Sequence, residues 1–178
     1  MKKKISVLIE KKIKKFNKII SVESDKSISH RSLLIASQCI GPSNIIDILE
    51  SEDVKNTILC LKKLGVKIFK KNKKYVVYGN GLGSFRKPKN NLLYAGNSGT
   101  LARMLFALLG TQTNLKVKVY GDSSLNKRDM KRIINPLSKI GCNFYPKNKT
   151  TLPLTIEGTG MPLAQKHIEK IGSAQVKS

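Results

Sequence analysis

The sequence predicts an α/β fold assembled from a repeated βαβαββ unit, and three observations carry that expectation. Apolar residues recur at helical spacing in some segments and in short strand-like runs in others. The two patterns alternate in the same order twice along 178 residues, and a third round begins before Ser178. The helix-ending pair Leu64-Gly65 returns as Ile140-Gly141, a period of about 76 residues.

Each element follows from its residues. The opening MKKKISVLIEKK has a basic start and an apolar run too short for the core of a signal peptide, with no small-residue cleavage site, so it reads as a strand. SDKSISHR, residues 24 to 31, stands where a helix begins; SLLIASQ continues that helix to about Gln38. GPSNIID is a short strand, and SEDVKNTILCLKKLG a second helix with apolar residues at helical spacing. VKIF and YVVYG form two strands joined by a lysine-asparagine turn. From residue 92 the order recurs: LLYAG as strand, NSGTLARMLFALLG as helix, LKVKVYG as strand. SLNKRDMKRIINPLSKIG reads as one helix, kinked or entering its last turn at Pro136; CNFYP and LPLTIEG are the two closing strands. KHIEKIG and SAQVKS would open a third copy. The expected divisions are 1–20, a strand segment; 21–90, the first unit; 91–160, the second; and 161–178, a third unit cut short.

Composition narrows the function. A hydrophobic content of 40% supports a core, and no run reaches the roughly 20 apolar residues that a membrane span needs. Cys39, Cys60 and Cys142 lie far apart with no CxxC spacing, as expected of buried thiols in a reduced, cytoplasmic protein. His30 and His167 offer no metal site. The formal charge of +23 asks for an anionic partner, and a basic nucleic-acid-binding α/β module is the alternative reading. Only five of the 34 basic residues are arginines, however, and the lysines are spread over nearly every segment without a row of aromatics for bases to stack on.

The strand-to-helix junctions hold the chemistry. DKSISHR, GNSGT and GSAQVKS fall at the same point of the three copies, and Ser27, Ser98 and Ser173 are separated by 71 and 75 residues. Copies of one unit pack with like ends together, so three helix N-termini should face one region. Their unpaired N–H groups and positive dipole ends favour an anion there. Ser27 is expected as an N-cap, Asp25 as a cap or ion-pair partner, and His30 as a structural hydrogen bonder. Lys26, Arg31, Arg103, Arg128 and Lys177 would ring a multiply anionic small molecule. GNSGT is not a P-loop, because the GK[ST] ending is absent.

DKSISHR, GNSGT, GDSSLNKR, LPLTIEG and SAQVKS also resemble, in order and spacing, the enolpyruvyl transferases, and among them the 5-enolpyruvylshikimate-3-phosphate (EPSP) synthase family. DKSISHR separates that family from the siblings that act on UDP-N-acetylglucosamine. The resemblance covers nearly the whole chain. It implies an inside-out fold of two globes, each made of three βαβαββ units, with the active site between them. This chain would supply two units and the start of a third, its first 20 residues lent to the second globe. The reaction implied is transfer of the enolpyruvyl group from phosphoenolpyruvate to shikimate 3-phosphate with release of phosphate. It belongs to chorismate and aromatic amino acid biosynthesis, and uses neither metal nor organic cofactor. A cytoplasmic enzyme, monomeric when full length, with no nucleic-acid or membrane partner, is expected.

Carried over residue by residue, the resemblance gives Lys26 contact with both substrates. Ser27, Arg31, Ser173, Ala174 and Gln175 would hold shikimate 3-phosphate. Asn97, Gly99, Thr100, Arg103, Arg128 and Gln175 would hold phosphoenolpyruvate, with Gly99 leaving room for its phosphate and for the inhibitor glyphosate. Arginine suits such groups through its bidentate fork, lysine as a point charge. SAQVKS resembles the subclass with Ala at the position where others carry a second Ser. Two departures stand out: Glu23-Ser24 where the family has Pro-Gly, and Asp129 where it has Pro. The family's proton-transfer aspartate and lysine lie in the second globe, so these 178 residues alone are expected to bind substrate without turning it over.

Overall fold

In a computed structural model of the chain, the residues described are 19–72, 74–113 and 115–166, with the single positions 8, 10, 17, 168, 172 and 177. The strand expected over the opening residues and the elements expected after residue 166 therefore lie largely outside the described residues.

The chain runs α1 (Lys26–Gln38), β1 (Ile40–Ile46), α2 (Glu52–Lys63), β2 (Lys67–Lys71), β3 (Lys74–Asn80), β4 (Leu92–Tyr94), α3 (Gly99–Gly110), β5 (Lys116–Tyr120), a 3-10 turn (Leu125–Lys127), α4 (Lys131–Lys139), β6 (Asn143–Tyr145) and β7 (Leu154–Glu157). Two sheets result. One has the order β1-β3-β2 and is antiparallel throughout; the other has the order β4-β5-β7-β6, with β4 and β5 parallel and the other pairs antiparallel. The triplet β1-β3-β2 matches β5-β7-β6 element for element, which is the repeat read from the sequence.

The repeat extends to the helix ends. Gly65 and Gly141 follow α2 and α4 at φ +92° and +109°, where a side chain would be strained. Val66 N–H donates to Leu61 C=O and Cys142 N–H to Leu137 C=O, both at 3.0 Å, closing the same left-handed cap in each copy. Among the described residues no strand precedes α1: residues 19–23 are exposed and pair with no ladder.

Two further expectations change. Cys39 is exposed, because it sits just past the end of α1, while Cys60 and Cys142 are buried. The segment read as one helix before Gly141 is broken at Arg128, whose backbone is extended (φ −78°, ψ 136°). There Asp129 bridges antiparallel to Thr151, and Met130 N–H donates to Thr150 C=O at 2.7 Å. Backbone pairing with the loop before β7 outcompetes continued helix, and α4 restarts at Lys131. Pro136 is retained inside α4, just before its last turn.

The core centres on α3. Leu101, Ala102, Met104, Leu105, Phe106 and Leu109 of that helix are all buried, and its one charged residue, Arg103, is half-buried near the N-terminal end. It packs on β5 and β7, with α1 and α4 beside it. Phe106 meets Phe144 of β6 edge to face, with ring centroids 5.5 Å apart. No helix among the described residues is long and apolar enough to cross a membrane. Replacing Phe106 with alanine should cost about 3–5 kcal/mol in urea denaturation, since the rigid surroundings cannot close the cavity. A loss below about 1 kcal/mol would show that α3 is not the packing centre.

Candidate anion-binding site

Strands β4 and β5 run parallel and leave their sheet together at Tyr94 and Tyr120. Ala95 N–H donates to Tyr120 C=O at 2.8 Å, and Asp122 N–H to Gly96 C=O at 2.9 Å, so the two exit loops stay tied for one more step. Ligands of open α/β sheets bind at such carboxyl ends of parallel strands. One loop leads into α3; the other passes through the 3-10 turn to Arg128.

Three helix starts converge beside these loops. Asp25 caps α1, its Oδ1 accepting from Ile28 N–H at 2.7 Å. Ser27, expected as the cap, instead lies inside the first turn, because Asp25 keeps the extended backbone of a cap (φ −71°, ψ 134°) and helix begins at Lys26. Ser51 caps α2 and Ser98 caps α3, accepting from Val54 N–H and Leu101 N–H at 3.4 and 3.2 Å. Lys26 Nζ reaches Asp53 of α2 at 2.9 Å. Across the buried side, His30 Nδ1 lies 2.6 Å from Thr57 Oγ1 and His30 Nε2 lies 3.4 Å from Ser98 Oγ.

The cationic side is built around Gly99, the first residue of α3. A methyl group placed on Gly99 would lie 2.9 Å from Arg103 Nη1 and 3.4 Å from Arg128 Nη1, so two guanidinium tips share the space above this glycine. Arg103 Nη1 donates to Gly99 C=O at 3.4 Å. Arg128 donates to Asn97 Oδ1, and Asn97 Nδ2 donates to Asp122 Oδ2 at 2.8 Å, which fixes the amide between a cation and an anion. Burial holds the Arg103 guanidinium below its ordinary pKa; the like charges of Arg128 and Arg132 push the same way and Asp129 opposes them. Cations gathered at a helix N-terminus against partial burial suit a polyanionic ligand. Thr100 is buried beside Gly99, and Arg31 Nη1 donates to Ser27 C=O at 3.2 Å on the α1 side.

The structure thus brings Lys26, Ser27 and Arg31 to the α1 start, and Asn97, Gly99, Thr100, Arg103 and Arg128 to the α3 start. Ser173, Ala174 and Gln175 lie outside the described residues, and Lys177 is described only as exposed. Sequence reasoning missed Asp53, Asp122 and Arg132. An acidic residue in a first helical turn is ordinary, so Asp53 carried no signal before its partner was known. Cys60 is no nucleophile: burial pushes its thiol up to about 12.

Comparison with known proteins decides the family. The sequence profile of EPSP synthase (3-phosphoshikimate 1-carboxyvinyltransferase) matches residues 10–178. The chain belongs to the EPSP synthase family. The 3-phosphoshikimate 1-carboxyvinyltransferase of Paramagnetospirillum magneticum is 37% identical over 158 residues, covering 88% of this chain and 35% of that protein. That of Endomicrobium trichonymphae is 42% identical over 176 residues, covering 96% and 40% respectively. The solved EPSP synthase of Acinetobacter baumannii superposes with a TM-score of 0.82 at 34% identity, over 89% of this chain and 36% of that one. The fold read from the sequence is therefore the EPSP synthase fold, and the chain spans little more than a third of the length of these relatives.

His30 gives this site a pH signature. Its imidazole is lowered from 6.5 to about 4, chiefly by burial; Lys26 and Arg31 act in the same direction and Asp53 opposes them. Between those values the unfolded chain binds the extra proton and the folded chain does not, so stability falls as pH drops from about 6.5 to about 4 and levels off below. The stability gap between wild type and His30→Leu, read from urea midpoints, should narrow over that window. A constant gap would mean that His30 is not buried in its neutral form.

Proposed function

We propose that this chain binds shikimate 3-phosphate and phosphoenolpyruvate as the substrate-holding part of an EPSP synthase, which transfers the enolpyruvyl group between them and releases phosphate. The observation that carries the reading is the convergence of the Arg103 and Arg128 guanidiniums over Gly99 at the N-terminal end of α3. Paired guanidiniums, first-turn N–H groups and a positive dipole end suit a phosphate or carboxylate far better than a neutral ligand. The relatives' name, 3-phosphoshikimate 1-carboxyvinyltransferase, supplies the substrate class.

Each residue then has a task. Arg128, aimed by Asn97, clamps phosphoenolpyruvate, with Arg103 behind it and Asn97, Gly99 and Thr100 lining the pocket. Ser27 and Arg31 hold the shikimate side with Ser173, Ala174 and Gln175, and Gln175 also reaches phosphoenolpyruvate. Lys26 serves both substrates. Its ion pair with Asp53 is half-exposed on the lysine side, and such pairs contribute about 0–1 kcal/mol, so an incoming phosphate takes the ammonium at little cost. The family resemblance assigns proton transfer to a second globe, so binding without turnover is the behaviour proposed for these 178 residues by themselves. Phosphate release by the purified chain at an enzyme-like rate would overturn that part.

Calorimetric titration of shikimate 3-phosphate should give one saturable site, weakened at least about tenfold in Lys26→Ala and Arg31→Ala. For phosphoenolpyruvate the corresponding change is Arg128→Ala. Salt-sensitive binding of arbitrary DNA that survives all three substitutions, with no heat from either substrate, would favour the nucleic-acid reading instead.

Gly99→Ala supplies a sharper test. Its methyl would displace the Arg103 tip and touch that of Arg128, so phosphoenolpyruvate should bind more weakly and the longer glyphosate more weakly still. Equal loss for Lys26→Ala and no change for Gly99→Ala would place the phosphoenolpyruvate pocket elsewhere.

A further inference from the structure

His30 is fully buried, yet both of its ring nitrogens are used, each toward a different helix. Thr57 Oγ1 can give its hydrogen to Asp53 C=O at 3.3 Å, and toward His30 it then accepts, an arrangement that calls for the imidazole proton on Nδ1. Ser98 Oγ accepts from Leu101 N–H, which leaves the serine hydrogen to point at Nε2. A single neutral tautomer therefore satisfies the imidazole and both hydroxyls together.

Each arm ends one step from a residue assigned to ligand binding. Thr57 is tied to Asp53, and Asp53 holds Lys26. Ser98 stands between Asn97 and Gly99 and caps the helix whose first turn faces the ligand. We propose that His30 is a positioning residue of the anion site: its Nδ1–H tautomer couples the N-terminal halves of α1 and α2 to the cap of α3 and so sets the distance from Lys26 to the Asn97–Gly99 loop. His30 touches no substrate. The proposal rests on the substrate reading above, and misplacing groups by an ångström is enough to weaken such a site severely.

The test uses this chain with His167→Gln, which leaves one histidine signal. Nitrogen-15 NMR of the imidazole should show the Nδ1–H tautomer at pH 7 before any ligand is added. An Nε2–H tautomer or a charged ring at pH 7 would overturn the proposal. His30→Leu should lose at least about tenfold in affinity for shikimate 3-phosphate. His30→Gln, whose amide oxygen reaches toward Ser98, should recover most of that affinity while staying less stable than wild type, since the Thr57 arm is gone. Wild-type affinity in a folded His30→Leu would reduce His30 to a packing residue and end the proposal. Should His30→Leu fail to fold, the tautomer together with the affinity of His30→Gln decides. If wild type itself binds no shikimate 3-phosphate, the substrate reading falls. The positioning role is then judged on the tautomer and on whether His30→Gln shifts the Lys26 and Gly99 amide resonances.

Discussion

Helix α3 is apolar apart from Thr100 and Arg103 near its start, and burying it is the constraint on which the rest of the structure depends. A helix this apolar is stable only when most of its surface is covered, so sheet β4-β5-β7-β6 lies against it and α1 and α4 pack beside it. The chain enters the N-terminal end of α3 from β4 through Asn97, which is exposed, while Ser98, Gly99 and Thr100 behind it are buried. That end carries the partial positive charge of the helix and the first-turn N–H groups, and it opens beside the exit loop of β5. Packing and function are therefore one arrangement: the apolar sides of α3 fix where its positive end points.

What gathers at that end would be unstable without a ligand's charge to answer. Arg103, Arg128 and Arg132 repel one another, and partial burial of Arg103 adds to the cost. Asp129 and the Asp122–Asn97–Arg128 relay offset some of it. The positive end of the α3 dipole adds to the cost, and a folded chain tolerates it because the relay and the surrounding packing hold these groups in place before anything binds. A preorganised site of this kind holds its donors where negative charge arrives and spends little on rearrangement. The lysines that make up most of the +23 charge are spread along nearly every segment of the chain. Arg86 alone among the five arginines lies away from the site, its side chain laid against Gly65.

The two departures from the family's motifs have local explanations. Asp129, where proline is usual, accepts from Lys131 N–H at 2.8 Å and so takes over the start of α4, whose own cap residue Met130 has no side-chain acceptor. It also adds a negative charge near Arg103. Glu23-Ser24, where Pro-Gly is usual, precede a helix already capped by Asp25, so the entry to α1 is kept by the aspartate.

The sequence by itself determined the repeat and the order of most elements, and it named the residues that the proposed function uses. Those are properties of local pattern: helical spacing in α2 and α3, the left-handed glycines Gly65 and Gly141, and small or capping residues at each helix start. It missed where local propensity was overruled or where partners come from distant segments. The helix drawn through Arg128 breaks because Met130 and Asp129 pair with Thr150 and Thr151, a contact that no window of sequence contains. Without that break Arg128 would not reach Asn97. Ser27 yielded the cap to Asp25, since two good capping residues stood close together and only the backbone path could choose between them. Asp53 beside Lys26 and Thr57 beside His30 are 27 residues apart in each case and meet only when α1 and α2 pack. Local sequence chose the parts, and the burial of α3 decided which of them would touch.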